Sequence, residues 1–326
     1  MCTSITFKTK AFYFGRTLDL EYSYKEEVVI TPRNFSFELS CGQVLTSHFA
    51  IIGTAYVPDK LPLYYEGINE KGLCMAGLNF AGNAKYNKPA EGAKNIAQYE
   101  LILYILCTCA RVDEAVEALK AINVTDRPYG KGLPVAELHW LLADKSKCVT
   151  VELVSDGLKI YDNPVGVLAN NPTFDMHMFN LNNYIGLSAE QPQNTFSDKL
   201  NLQLYTKGLG AMGLPGDLSS QSRFVRAAFN KLNSACGCSE EESVNQFFHI
   251  LGSVEQTRGA NRLENGKYEI TVYTCCCNAD TGVYYYTTYQ NHRITAVDMH
   301  KENLNADKLV RYPHILRESF DNLLKK

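Results

Sequence analysis

The chain has 326 residues, 45% of them hydrophobic and 21% charged, with a formal net charge of -3. That length and apolar content can bury a sizeable core. No basic surplus exists to hold a phosphate backbone, which argues against a nucleic-acid partner. The longest apolar stretch, around residues 101–110, is far short of the ~20 residues of a bilayer span, so no membrane partner is expected. The opening Met1-Cys2-Thr3-Ser4-Ile5-Thr6-Phe7 lacks the basic-then-apolar pattern of a secretion signal. The expected location is the cytoplasm.

There are 11 cysteines, an odd number. In a chain of this kind they are expected to be reduced, buried thiols that pack as small apolar groups. Cys107 and Cys109 lie in an apolar helical stretch, Cys236 and Cys238 flank a glycine, and Cys275, Cys276 and Cys277 are consecutive. No CxxC pair or zinc-like Cys/His spacing occurs. Neighbours in a strand point to opposite faces, so three in a row cannot easily share one ion. Neither a metal nor a cofactor is expected.

In chain order, β-branched and apolar runs bounded by Gly, Pro and Asn predict strands at 4–8, 11–16, 28–31, 49–56 and 73–79. Residues 98–109 are apolar almost all round, which predicts a sandwiched helix. Val112, Ala115, Val116 and Leu119 mark one face of a second helix. Strands return at 138–144, 148–154, 158–161 and 166–169, and a short helix is expected at 175–183 after Pro172. Helices at 222–232 and 240–251 follow, and strands at 269–276, 283–289 and 294–299 close the series. This is no regular βαβ alternation. It fits an α+β layered protein with antiparallel sheets covered by helices.

The N-terminus carries the chemistry. Removal of Met1 is favoured when a small residue follows, and it would leave Cys2 with both a thiol and a free α-amine. An α-amine has a pKa of ~7.7–8.0, suited to a general base at neutral pH. Nucleophile and base would then belong to one residue. The predicted hairpin would bring Arg16 and Asp19 back beside Cys2. Arg16 can lower the thiol pKa, and Asp19 can orient the α-ammonium. Spacing alone leaves a plain surface Arg–Asp pair equally open.

Met1-Cys2-Thr3 followed by Phe14-Gly15-Arg16-Thr17-Leu18-Asp19 resembles the opening of the choloylglycine hydrolases, the bile salt hydrolases and penicillin V acylases. The resemblance continues in Asn69-Glu70-Lys71-Gly72-Leu73, Ala76-Gly77-Leu78-Asn79-Phe80, Asn170-Asn171-Pro172-Thr173-Phe174-Asp175, Leu214-Pro215-Gly216-Asp217, Ser222-Arg223-Phe224 and Tyr284-Tyr285-Tyr286. It implies the four-layer αββα sandwich of N-terminal-nucleophile hydrolases, as one domain over residues 2–326 with Met1 removed. It also implies the catalytic set Cys2, Arg16, Asp19, Asn79, Asn170 and Arg223. Singly, Asn79 reads as a strand end, 170–172 as a turn and Arg223 as an ordinary helix residue.

In the family, Asn at position 79 goes with bile salts and Tyr with penicillin V. The resemblance therefore implies hydrolysis of glycine- and taurine-conjugated bile salts through a thioester, with Leu18, Tyr65, Tyr129 and Leu133 binding the substrate. It also implies a homotetramer. The glycines of Lys207-Gly208-Leu209-Gly210, a loop near the amino-acid portion, indicate flexibility rather than a head-group preference. The rival readings are a penicillin V or acyl-homoserine lactone acylase on the same scaffold, and a non-enzymatic thiol-rich binding protein.

Overall fold

The computed structural model describes residues 1–130 and 132–323. The chain opens with a hairpin of β1 (Cys2–Lys8) and β2 (Phe12–Leu20), then β3 (Glu27–Thr31) and the small pair β4 (Phe37–Glu38) and β5 (Val44–Leu45). The strands β6 (Ile51–Tyr56), β7 (Leu63–Asn69) and β8 (Cys74–Asn79) follow. Then come β9 (Asn95–Ala97), α1 (Leu101–Thr108), α2 (Val112–Ala121) and β10 (Asn123–Thr125). Next are β11 (Leu138–Ala143), β12 (Cys148–Val154), β13 (Gly157–Asp162), β14 (Val167–Leu168) and α3 (Phe174–Asn180). The last part holds α4 (Ser220–Leu232), α5 (Glu240–Gly252), β15 (Ile270–Asn278), β16 (Val283–Thr288), β17 (Asn291–Asp298) and β18 (Val310–Pro313).

Two antiparallel sheets face each other. One has six strands in the order β14-β1-β2-β15-β16-β17, the other eight in the order β13-β12-β11-β8-β7-β6-β3-β18. β1 lies over β8, and β2 over β7 and β8. Helix α1 covers the outer face of the eight-stranded sheet at β7 and β8, while α4 and α5 cover the six-stranded sheet at β1, β2 and β15. The layers thus run helix, sheet, sheet, helix, which is the expected αββα sandwich. One apolar cluster fills the space between the sheets and under α4 and α5; a second fills the space under α1 and α2.

Local sequence explains these placements. Every residue of β1 but Lys8 is buried, because one face meets the other sheet and the opposite face meets helices. Strand β16 instead alternates in burial along Val-Tyr-Tyr-Tyr-Thr-Thr, the pattern of a strand with one covered face. All residues from Leu101 to Cys107 of α1 are buried, as an all-round apolar helix requires. Ser219 caps α4, its hydroxyl accepting from Ser222 N at 3.4 Å, which sets Arg223 in the first turn.

The short strands β4, β5, β9, β10 and β18 were not expected, and three further elements differ from expectation. Strand β7 was not foreseen, since Glu66 and Gly67 interrupt its apolar pattern; Glu66 is nevertheless fully buried. The helix expected over 98–109 is a 3-10 turn at Gln98–Glu100 followed by α1, and Cys109 lies beyond its end in an extended conformation. The helix expected over 175–183 starts one residue earlier at Phe174, and ends as a 3-10 turn over Leu181–Tyr184.

Gly15 precedes Arg16 where β2 passes closest to β15. A Cβ there would lie 2.0 Å from the Cys275 carbonyl oxygen. Backbone must move to accept it, and overpacking of this kind costs about 1–3 kcal/mol. Gly15→Ala is expected to lower the urea unfolding midpoint by a corresponding amount.

Candidate active site

The β1–β2 register sets Cys2 opposite Leu18, Thr3 opposite Thr17 and Ser4 opposite Arg16. Cys2, at the start of β1, is 3% exposed. Its backbone N–H donates to Asn170 Oδ1 at 2.8 Å. Arg223 reaches the same place from the first turn of α4. It donates to Cys2 O and Thr3 Oγ1, both at 2.6 Å, and to Asn170 Oδ1 at 2.7 Å. Its Nε donates to Leu218 O at 3.1 Å, so the guanidinium is buried but well supplied with acceptors. Burial lowers its pKa, opposed by the nearby Asp19, Cys2 and Glu269.

Asn170 is itself held on several sides. Its Nδ2 donates to the carbonyl of Asn79 at 2.7 Å, and its N–H donates to Ser220 Oγ at 2.8 Å. His177, on α3, places Nε2 2.7 Å from Asn170 O and stacks on Phe224 at 4.6 Å. Burial pushes His177 down to about 4. A neutral imidazole with the proton on Nε2 therefore donates to that carbonyl. His139 spans the neighbouring stretch: Nε2 is 3.0 Å from Ala169 O, and Nδ1 is 3.1 Å from Glu152 Oε1. Glu152 Oε1 also accepts from Phe174 N at 3.0 Å. The segment carrying Asn170 is thus clamped at both ends.

Arg16 is buried between the sheets. Its Nε donates to Thr17 O at 3.0 Å, and its Nη1 donates to Tyr65 O at 3.2 Å and to Gly77 O. Glu66 Oε2 lies 3.9 Å from Nε. Burial alone would lower the Arg16 pKa, but the nearby Cys2, Tyr273 and Glu66 raise it overall. Arg16 is therefore a permanent cation. For Glu66 the balance differs: burial raises its pKa more than Arg16 lowers it. Tyr273 and Tyr284 donate to its two oxygens at 2.5 and 2.7 Å.

Asp19 is fully buried. Its oxygens accept from Thr271 Oγ1 at 2.7 Å and Thr17 Oγ1 at 3.2 Å. Burial raises its pKa, opposed by the N-terminal ammonium and Arg223. The N-terminal ammonium here belongs to Met1. It donates to the Asp19 main-chain carbonyl at 2.8 Å and pairs with the Glu269 carboxylate. Asn79 meets the cluster through its carbonyl, with its side chain exposed.

Tyr65, Tyr129 and Leu133 line one cavity of about 210 Å³, together with Tyr24, Tyr56 and Leu138. Tyr129 meets Tyr99 edge-on at 5.3 Å. Leu18 is not part of that lining; it lies beside Cys2 across the hairpin. Arg16 joins the two places, because the carbonyls it holds belong to Tyr65 and Gly77, which also line the cavity. Among the described residues, no group of three or more His, Cys, Asp or Glu is placed to hold a metal ion.

The family described as linear amide C-N hydrolases, choloylglycine hydrolase family, matches residues 2–312. This chain belongs to the choloylglycine hydrolase family. A bile salt hydrolase/transferase of Lactiplantibacillus plantarum is 51% identical over 96% of this chain and 97% of its own. One of the same description from Clostridium perfringens is 40% identical over 96% and 97%. The crystal structure of the C2A mutant conjugated bile acid hydrolase from Clostridium perfringens superposes with a TM-score of 0.92 at 37% identity. It covers 99% of this chain and 100% of its own. Penicillin V acylase from Agrobacterium tumefaciens, at 20% identity and a TM-score of 0.76 over 97% and 95%, shares the fold.

As a choloylglycine hydrolase the protein is an amidase acting on linear C–N bonds. Sequence reading gathered Cys2, Arg16, Asp19, Asn79, Asn170 and Arg223, and the fold brings all six to one end of the sandwich. It missed the residues that hold them: His177, His139, Glu152 and Glu66. Each is a lone polar residue in a helix or strand, and its spacing from the others carries no signal.

His177 generates a pH test. Its ordinary value is 6.5 and its folded value about 4, so between those pH values the unfolded chain binds a proton that the folded chain refuses. Stability present above pH 6.5 is therefore lost as pH falls toward 4, by up to about 3 kcal/mol at 1.36 kcal/mol per unit. The urea stability difference between wild type and His177→Asn is expected to shrink over that range. His314, also near 4, is common to both proteins and cancels.

Proposed function

We propose that the protein hydrolyses the amide of glycine- and taurine-conjugated bile salts, with Cys2 as the nucleophile. The observation that carries this reading is the cluster in which Asn170 and Arg223 grip the backbone of Cys2, beside a cavity lined by tyrosines and leucines. A rigid sterol body needs such an apolar cleft with polar groups at one end. The names of the relatives and the Asn at position 79 favour bile salts over penicillin V.

The active form begins at Cys2. Once Met1 is removed, the Cys2 nitrogen becomes the α-amine that Asn170 Oδ1 holds. The Cys2 sulfur, beside the Arg16 cation, attacks the amide carbonyl. Asn79 and Asn170 stabilise the oxyanion that develops. The α-amine, its charge balanced by Asp19, passes a proton to the departing nitrogen. Water then cleaves the thioester. Leu18, Tyr65, Tyr129 and Leu133 hold the acyl body.

The same reading carries one domain over residues 2–326, of which 324–326 lie outside the described residues. It places the enzyme in the cytoplasm as a homotetramer. The exposed Phe179, Ile185, Phe196 and Tyr205 support self-association, being apolar surface that a second copy can cover. No helix among the described residues is long and apolar enough to cross a membrane.

Purified protein incubated with taurocholate and glycocholate under reducing conditions is expected to release taurine and glycine. Cys2→Ala should lower the rate by roughly 10³-fold or more. Release that survives in Cys2→Ala rejects the nucleophile. Absence of release from protein whose mass shows a start at Cys2 rejects the bile-salt reading, with penicillin V as the next substrate.

A further inference from the structure

The cavity lined by Tyr65, Tyr129 and Leu133 holds one polar group that the roles assigned above leave unused. Among its described lining residues, all but Gln98 are Tyr, Leu, Ile, Ala, Pro or Gly. The Tyr64 hydroxyl meets Thr31 Oγ1 at 2.7 Å and donates to Val29 O at 3.2 Å; the Tyr24 hydroxyl meets that of Tyr22 at 2.7 Å. Gln98 is 2% exposed. Its Nε2 donates to Arg127 O at 3.3 Å, but its buried Oε1 has no hydrogen-bond partner.

The amide cannot relieve this by turning over. A flip would set Oε1 against Arg127 O, with two acceptors face to face. The backbone beneath it is also fixed. Gln98 opens the 3-10 turn that leads into α1. Within that turn the Glu100 carboxylate accepts from Ala97 N at 3.0 Å, Ser40 N at 2.6 Å and Ser40 Oγ at 2.8 Å. A buried acceptor left unpaired is unfavourable, so a donor is expected to meet it.

We propose that Gln98 is a specificity residue, whose Oε1 accepts a hydrogen bond from a hydroxyl group on the acyl body of the substrate. This inference rests on the bile-salt reading above, which assigns Tyr65, Tyr129 and Leu133 to that body. All three share one lining with Gln98. Tyrosine and leucine surfaces supply affinity for a sterol but little orientation. One rigid acceptor among them favours a body with an O–H at the matching place. It disfavours a body with a second acceptor there, because Oε1 would then stay unpaired.

The test compares taurine release from taurocholate with release from its 3-oxo, 7-oxo and 12-oxo analogues. A ketone nearly keeps the size of the group but replaces a donor with an acceptor. Wild type is expected to lose at least tenfold in kcat/KM on one of the three analogues. Q98M removes the acceptor at similar volume, and there the loss should shrink to within threefold. A purely structural role for Gln98 would lower all four rates together and leave their ratios unchanged. Unchanged ratios in Q98M therefore overturn the proposal, as do equal wild-type values on all four conjugates. Should Q98M fail to fold, wild type decides: equal values overturn the proposal, and a loss confined to one ketone supports it. Wild type that releases no taurine from taurocholate defeats the bile-salt reading instead. Penicillin V is then compared with its para-hydroxylated analogue, and an analogue cleaved no better than its parent overturns the role of Gln98.

Discussion

One carboxamide oxygen organises the end of the sandwich that holds Cys2. Asn170 Oδ1 accepts from the Cys2 backbone N–H and from the Arg223 guanidinium, while the same side chain donates to Asn79 O. Three separate stretches of chain therefore meet on one planar group: the first residue of β1, the first turn of α4 and the end of β8. The position is buried, so losing any one of these bonds would strand a polar group without water to replace it. That penalty is what fixes the geometry. His177 below the Asn170 carbonyl and His139 below Ala169 hold the plane itself, since a carboxamide can serve two donors only while its own backbone stays still.

The second constraint lies between the sheets. A cation and a carboxylate in that layer are costly to desolvate, and hydrogen bonds must offset the cost. Arg16 meets this with three carbonyl acceptors, and Glu66 with two tyrosine hydroxyls and the Thr54 N–H. Two consequences follow. Arg16 is held rigidly between Cys2 and the apolar cavity. The side chains on the inner faces of β2, β7, β15 and β16 are locked in register, because moving any strand by one residue would take Arg16, Glu66, Tyr273 or Tyr284 out of the network.

These two features differ in how far the sequence discloses them. The hairpin was legible, because a turn between two apolar runs has local signals, and its antiparallel pairing then dictates that residues 16–19 return beside Cys2. The helices were legible from their apolar faces, and the Ser219 cap fixes where Arg223 falls. Strand β7 was not, since its buried Glu66 looks like a surface residue until Arg16, Tyr273 and Tyr284 surround it. Asn79 and Asn170 read singly as a strand end and a turn; only family resemblance joined them. The histidines stayed silent for the same reason as Glu66. A buried polar side chain is defined by partners distant in sequence, and no periodicity records them.

The position of the N-terminus within the sheet links these points to the chemistry. Met1 continues the β1–β2 ladder: its carbonyl accepts from Asp19 N–H and its ammonium donates to Asp19 O. The strand thus enters the sandwich one residue before Cys2, the proposed nucleophile. A terminus on a free tail would lose its hydration only when substrate arrived, whereas here the cost of ordering Cys2 is met during folding. On the proposed processing, excision of Met1 frees two ladder groups of Asp19, a backbone donor and a backbone acceptor, beside Cys2. The sheet that positions Cys2, the proposed nucleophile, also supplies the polar surface around it, and both depend on where the strand begins.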